Sequence, residues 1–182
     1  YEPGYQDPAG GPFTGPLVGP ASVYPNYRDN MAVFVKKLGE FIGPKSGTKN
    51  LLIIDGVPYD VHPELAEYFN YGVVQSYNSG DFSDLQTRFN RAANRGWKPE
   101  QYIFAETFEG GKATTGGVSH TLREGGPLVP SILGMAHFLP EFEGKIAKRK
   151  GGCGAYHMEN DYNNTPNYRY IRQAIQIMQE HK

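Results

Sequence analysis

An excess of charge of either sign is missing from this chain, and cysteine is nearly absent. Charged residues fill 20% of the 182 positions, and 18 Lys and Arg against 19 Asp and Glu leave a formal net charge of -1. Without an excess of positive charge there is no broad electrostatic footprint for nucleic acid. The single basic cluster, Lys145, Lys148, Arg149 and Lys150, reads as the solvated end of a helix, so no nucleic-acid partner is expected. One cysteine, Cys153, excludes an intrachain disulfide framework and offers no CxxC metal site. The apolar run Leu51 to Ile54 is far too short to span a bilayer, so no transmembrane segment is expected here. Gly110-Gly111-Lys112-Ala113 is not a P-loop, because Ser or Thr must follow the lysine to reach magnesium. His157 has no His or Cys partner at ligand spacing and reads as a strand histidine, so no metal is expected.

Aromatic side chains are plentiful instead. With 13 Tyr and 10 Phe, the chain has the length and composition of one globular domain with a sizeable core.

Periodicity divides it into repeating units. Met31, Phe34, Val35, Leu38, Phe41 and Ile42 recur at three- and four-residue steps and predict a helix ended by Gly43-Pro44. Leu51 to Ile54 predicts a strand closing on Asp55-Gly56. His62 to Phe69 reads as a short helix and Gly72 to Tyr77 as a strand. Ser83-Asp84-Leu85-Gln86 has the form of a capping box, opening a helix that buries Leu85, Phe89, Ala92 and Ala93. Gln101 to Glu106 is a third strand, followed by a long loop from Thr107 to Val129. Pro130 to Leu139 is helical, and Gly152 to Met158 is a fourth strand. A closing helix carries Ile171, Ala174, Ile175 and Met178 on one face.

Strand alternating with helix implies an α/β fold with a parallel sheet. Four such units suggest half of an eight-stranded β/α barrel, a fold of roughly 250 residues. A doubly wound sheet is the alternative, although no strand leads into a GxGxxG turn. Tyr1-Glu2-Pro3 opens the chain without an initiator methionine and runs into a Gly/Pro/Tyr-rich loop ending near Asn26. Residues 1–182 are therefore read as half of a single TIM-barrel domain cut from a longer polypeptide.

In such a barrel the chemistry sits where strands end. The candidates are Glu2, Asp55, Gln75 with Tyr77, Glu106, and Tyr156 with His157 and Glu159. Period-two alternation puts Gln75 and Tyr77 on one face with Val73, and Ser76 on the other. Each candidate keeps a structural alternative: Glu2 as a surface residue, Asp55 as a turn residue, Gln75 and Tyr77 as partners within the barrel mouth, and Glu106 and Glu109 as loop carboxylates. Two loops exceed the usual length, Gly4 to Asn26 and Thr107 to Val129. Tyr5, Phe13, Tyr24 and Tyr27 give the first of them either sugar-stacking or loop-packing surfaces.

Three stretches carry a resemblance to a known family: Tyr1-Glu2-Pro3, Val74-Gln75-Ser76-Tyr77-Asn78 and Gly151 to Met158. They resemble the end of the DxxDxDxE motif, the strand-six Gln-x-Tyr pair and the strand-eight region of glycoside hydrolase family 18, in its bacterial endo-β-N-acetylglucosaminidase-like branch. The aspartates of that motif would all precede Tyr1. The resemblance implies that residues 1–182 are the C-terminal half of the barrel, strands five to eight plus the loop after strand four. The resemblance implies a retaining, substrate-assisted hydrolase of the GlcNAc-GlcNAc core of N-glycans, in which the substrate's acetamido oxygen attacks the anomeric carbon. It implies Glu2 as general acid and base, Tyr77 and Gln75 at the acetamido group, and Asp55, Asn78, Glu106 and Tyr156 at the sugar. It implies an oligosaccharide as partner, no specific protein partner, and neither cofactor nor metal. It also implies a secreted or cell-surface bacterial location, a lipid anchor upstream included. A chitinase-like hydrolase, a lectin-like barrel with a degenerate motif and an unrelated barrel enzyme remain the alternatives; Gln75 before Tyr77 favours the endoglycosidase.

Overall fold

The computed structural model describes residues 27–56, 58, 61–77, 79, 81–121 and 127–181. Glu2, Asn78 and the expected loop from Gly4 to Asn26 lie outside the described residues.

Among the described residues there are four α-helices and eight strands. Helix α1 (Tyr27–Leu38) precedes strands β1 (Ile53–Gly56) and β2 (Tyr71–Gln75), then helix α2 (Phe82–Ala93) and strand β3 (Tyr102–Thr107). Two short strands, β4 (Ser119–Thr121) and β5 (Leu128–Pro130), lead into helix α3 (Ser131–His137). A second short pair, β6 (Glu141–Phe142) and β7 (Lys145–Ile146), comes before strand β8 (Gly152–Tyr156) and helix α4 (Arg169–Glu180).

The main sheet has the order β1-β2-β3-β8, with every neighbouring pair parallel. Strand order therefore follows chain order without reversal. A doubly wound sheet reverses at a switch point, and none occurs among the described residues.

The helix-facing side of the sheet is the core. Ile54, Val74, Tyr102 and Phe104 are fully buried there beside Leu85, Phe89 and Trp97. Edge-to-face ring pairs lock this layer: Phe89 on Tyr102 at 5.6 Å, Tyr102 on Phe104 at 5.0 Å, and Phe104 on Phe138 at 5.3 Å between centroids. The Trp97 indole packs against Gly72, where a Cβ would come within 2.7 Å of its ring, and its Nε1 donates to the Pro58 carbonyl at 3.0 Å.

Several local expectations are corrected. α1 stops at Leu38, because the amides of Phe41 and Ile42 both turn back to the Leu38 carbonyl and Gly43 adopts φ +86°. Ala32 and Val35 face the core, whereas Phe34 and Phe41 are exposed. The N-cap of α2 is Asp81, whose carboxylate accepts from the Asp84 amide at 2.8 Å, and Ser83 lies inside the helix. Gln86, freed from a capping role, instead exchanges two hydrogen bonds with the main chain of Glu141, at 2.9 and 2.7 Å.

The stretch from Thr107 to Val129 is not structureless. It holds a short 3-10 turn (Lys112–Thr114) and the first strand of the antiparallel β4–β5 pair. Nor is the basic cluster a helix end: Lys145 sits in β7, and Lys150 is buried, donating to the Ala136 carbonyl in the last turn of α3 at 2.7 Å. Burial pushes the Lys150 ammonium down to about 8. On α4, Ala174 and Tyr170 are buried but Ile175 is exposed.

Candidate active site

Parallel register sorts the strand residues between the two faces of the sheet. Asp55 lies opposite Val73, Val73 opposite Ile103, and Ile103 opposite Gly152. One layer further along, Gln75 lies opposite Ala105, and Ala105 opposite Gly154. At the strand ends Thr107 lies opposite Tyr156. Residues in register point to the same side, so Asp55, Gln75, Thr107 and Tyr156 share the face away from the helices. Tyr77, two beyond Gln75, joins them: its ring stacks on Tyr156 at 6.3 Å with an interplanar angle of 26°.

The floor below this aromatic pair is made of small residues. Ala105 contributes one methyl group, and a Cβ built on Gly154 would meet no atom within 4 Å. A half-buried glutamine and two partly exposed tyrosines thus border a floor left open at Gly154 among the described residues. The alternation expected for Val73, Gln75, Ser76 and Tyr77 is the one observed, with Ser76 fully buried on the helix side.

Glu106 is not brought to this group. Its register partner is Ala155, so it faces the helix side, fully buried. One carboxylate oxygen accepts the Ser131 hydroxyl from the start of α3, and the other accepts the Thr107 amide at 2.8 Å. Gly117, at φ +100°, closes over the pair: a Cβ there would fall 2.0 Å from Ser131 Oγ and 2.8 Å from Glu106 Cγ.

His157 and Glu159, candidates read from the sequence, stand at the rim and are joined there by Glu109, which the sequence did not link to them. His157 leaves β8 with φ +55°, which turns its ring back onto Tyr156, centroid to centroid 4.2 Å. Its Nδ1 is 2.5 Å from Glu159 Oε1, and its Nε2 is 3.5 Å from Glu109 Oε1. The hydrogen bond to Glu159, and then the charges of Glu159 and Glu109, raise the His157 pKa. The same hydrogen bond lowers that of Glu159. His157 is therefore not the strand histidine the sequence suggested. The i, i+2 spacing of His157 and Glu159 was the available signal; Glu109 arrives only through the fold.

Among the described residues no group of three or more His, Cys, Asp and Glu is placed to hold a metal ion, and no helix is long and apolar enough to cross a membrane. Cys153 is a free thiol, its pKa raised to about 11 by burial.

Strand β2 leads into Gln75-x-Tyr77, and β8, one strand further across the sheet beyond β3, ends in the stacked Tyr156. The family model described as glycoside hydrolase family 18, BT1044-like, matches residues 21–177. The chain belongs to this family. Among solved structures it is similar to a selenomethionine form of BT1044 carrying a glutamate-to-glutamine change. The identity is 27% and the TM-score 0.66, over 82% of this chain and 44% of that one. It also shares the fold of an endo-β-N-acetylglucosaminidase from Cordyceps militaris, at 23% identity and TM-score 0.62, over 85% of this chain and 52% of that one. That enzyme carries an aspartate-to-asparagine and a glutamate-to-glutamine change and is in complex with fucosyl-N-acetylglucosamine-Asn. The chain spans about half the length of these two proteins. A comparison with curated protein sequences gave no match.

Proposed function

We propose that these residues form part of the active site of a retaining, substrate-assisted endo-β-N-acetylglucosaminidase cleaving the β-1,4 bond of the GlcNAc-GlcNAc core of N-glycans. The observation that carries this reading is the grouping of Gln75 and Tyr77 with Tyr156 on one face of the sheet, over the open floor at Gly154. Membership of family 18 supports it, as does the N-acetylglucosamine-containing ligand bound by the similar fungal enzyme.

In this mechanism the substrate's own 2-acetamido oxygen attacks the anomeric carbon as the glycosidic bond breaks, so the nucleophile is not a protein carboxylate. Protonated Glu2 donates its proton to the leaving oxygen, then as carboxylate takes one from the water that opens the oxazolinium intermediate. The Tyr77 hydroxyl donates to the acetamido carbonyl oxygen. This holds the group in line for attack, and Gln75 supports the same contact. Tyr156 offers a ring face to the sugar, and Asp55 and Asn78 its hydroxyl partners. Glu106, from the helix side, acts on the sugar only through the shape it gives the end of β3.

The same reading makes the four parallel strands the fifth to eighth of a β/α barrel, with residues 1–182 as its C-terminal half. The outer edges of β1 and β8 pair with nothing among the described residues, in keeping with strands contributed from elsewhere in a longer protein. A secreted or cell-surface location goes with that proposal.

The test is made in the intact protein on a glycopeptide carrying the GlcNAc-GlcNAc core. Glu2→Gln should lower kcat by about 10²–10⁴-fold while glycan binding persists. Tyr77→Phe should lower it by about 10²-fold through loss of one donor to the developing charge. Undiminished hydrolysis by the Glu2 variant would remove Glu2 from the mechanism, and glycan binding without hydrolysis by the wild type would make the face a lectin site.

A further inference from the structure

The His157 cluster has no part in the chemistry above, yet it touches the aromatic pair directly. Glu109 lies on the loop after β3 and Glu159 on the turn after β8, so the imidazole links the ends of two adjacent strands. Two further hydrogen bonds run the same way: the Phe108 amide donates to the Tyr156 carbonyl at 3.0 Å, and the Asn160 side-chain Nδ2 to the Phe108 carbonyl at 3.3 Å. The ring meets Tyr156 edge-on, with planes 62° apart, and Tyr156 in turn stacks on Tyr77.

We propose that His157 is a positioning residue: held between Glu109 and Glu159, its imidazolium fixes the plane of Tyr156 against Tyr77 and so sets the width of the saccharide face. The inference rests on the functional reading above only in calling that face a saccharide face.

The chemistry of the ring makes the effect pH-dependent. Imidazolium donates from both nitrogens, and both carboxylates are satisfied. A neutral ring has one N–H. If Nδ1 keeps it for Glu159, the Nε2 lone pair faces the Glu109 carboxylate and that tie becomes repulsive. The charged and titratable groups facing the ring are Glu109 from the β3 loop and Glu159 from its own turn; Tyr156 and Tyr77 complete the stack. Because the two carboxylates raise the His157 pKa, the lock is complete below the ordinary histidine value and is lost as pH rises through the elevated one. His157, Glu109 and Glu159 are all partly exposed, so screening keeps the effect modest, about two- to fivefold in ligand affinity.

The experiment is an NMR titration of the intact protein with labelled His and Tyr rings, from about pH 5 to about pH 9, with and without N,N′-diacetylchitobiose. His157 should titrate above the ordinary histidine value, and the Tyr156 ring resonances should move with the same midpoint. Chitobiose affinity should fall about two- to fivefold across that midpoint. Glu109→Gln should bring the midpoint down, and His157→Gln should flatten the Tyr156 response. Tyr156 resonances that stay still while His157 titrates would overturn the proposal, as would an unchanged Tyr156 response in His157→Gln. Should Tyr156 follow His157 while chitobiose perturbs neither tyrosine, the positioning role stands and the saccharide reading falls.

Discussion

Gly117 shows how much one residue decides. At φ +100° it takes a backbone conformation that side chains rarely adopt, and its missing Cβ makes room for the Glu106–Ser131 pair. Gly117→Ala should cost about 2–3 kcal/mol, combining strain at a left-handed position with overpacking against a buried carboxylate. A urea titration would read this as a lower midpoint at unchanged slope. Glu106 itself explains why a strand-end carboxylate is a poor guide to a site. Its neighbour Ala105 faces the open side, and one step of pleat sends Glu106 into the helix layer. Alternation is a local property, so the Gln75 and Tyr77 pair was legible in the sequence. The phase of β3 relative to β2 is set by pairing across strands, and it was not.

At the scale of elements, the β4–β5 pair rests on an unusual anchor. His120 is fully buried, its ring 5.7 Å from that of Phe82, and neither nitrogen has a hydrogen-bond partner among the described residues. α3 admits it only because position 134 is glycine, where a Cβ would sit 2.3 Å from His120 Nδ1. Burial lowers the His120 pKa, against smaller opposing effects of Asp81, Glu106 and Asp84. The sign follows: when the hairpin is released, His120 binds a proton more readily than when it is docked. Stability is therefore full above the ordinary histidine range and is lost as pH falls from that range towards the depressed value. The exchange protection factors of the amides of Ser119–Thr121, Leu128 and Val129 should fall on mild acidification, and His120→Phe should abolish that dependence. Protection factors unchanged between neutral and mildly acid pH would count against the anchor. The N-cap of α2 offers a second check, with Asp81→Ala expected to cost about 1 kcal/mol in a thermal melt. The sequence showed that a helix began here but misplaced its cap. Ser83 and Asp81 both fit the composition of a cap, and the choice depends on where the chain leaves β2.

At the scale of the whole molecule, the sheet keeps two unpaired edges among the described residues. Beside β8 lies a groove of about 1070 Å³, lined by Gly152 and Cys153 and by Ile171, Ile175 and Met178 of α4. At the β1 side Leu51 and Ile53 are exposed. Open edges next to apolar side chains invite pairing between chains. The 182-residue chain by itself should therefore associate in solution, as light scattering would record, and should lack hydrolytic activity. Ile175→Lys should reduce the association, and a monodisperse, active monomer would refute the expectation.

The sequence by itself determined the order of the four main strands, the parallel sheet and the face shared by Gln75 and Tyr77, because these follow from short-range periodicity and from helices separating the strands. Only the tertiary structure decided that Glu106 is buried against Ser131, that Phe34 and Phe41 are exposed, that Lys150 meets the end of α3, and that Glu109 meets His157. Each of these depends on register between strands or on a turn that brings distant residues together. Such relations are fixed by packing and loop closure, and the local pattern of side chains carries no record of them.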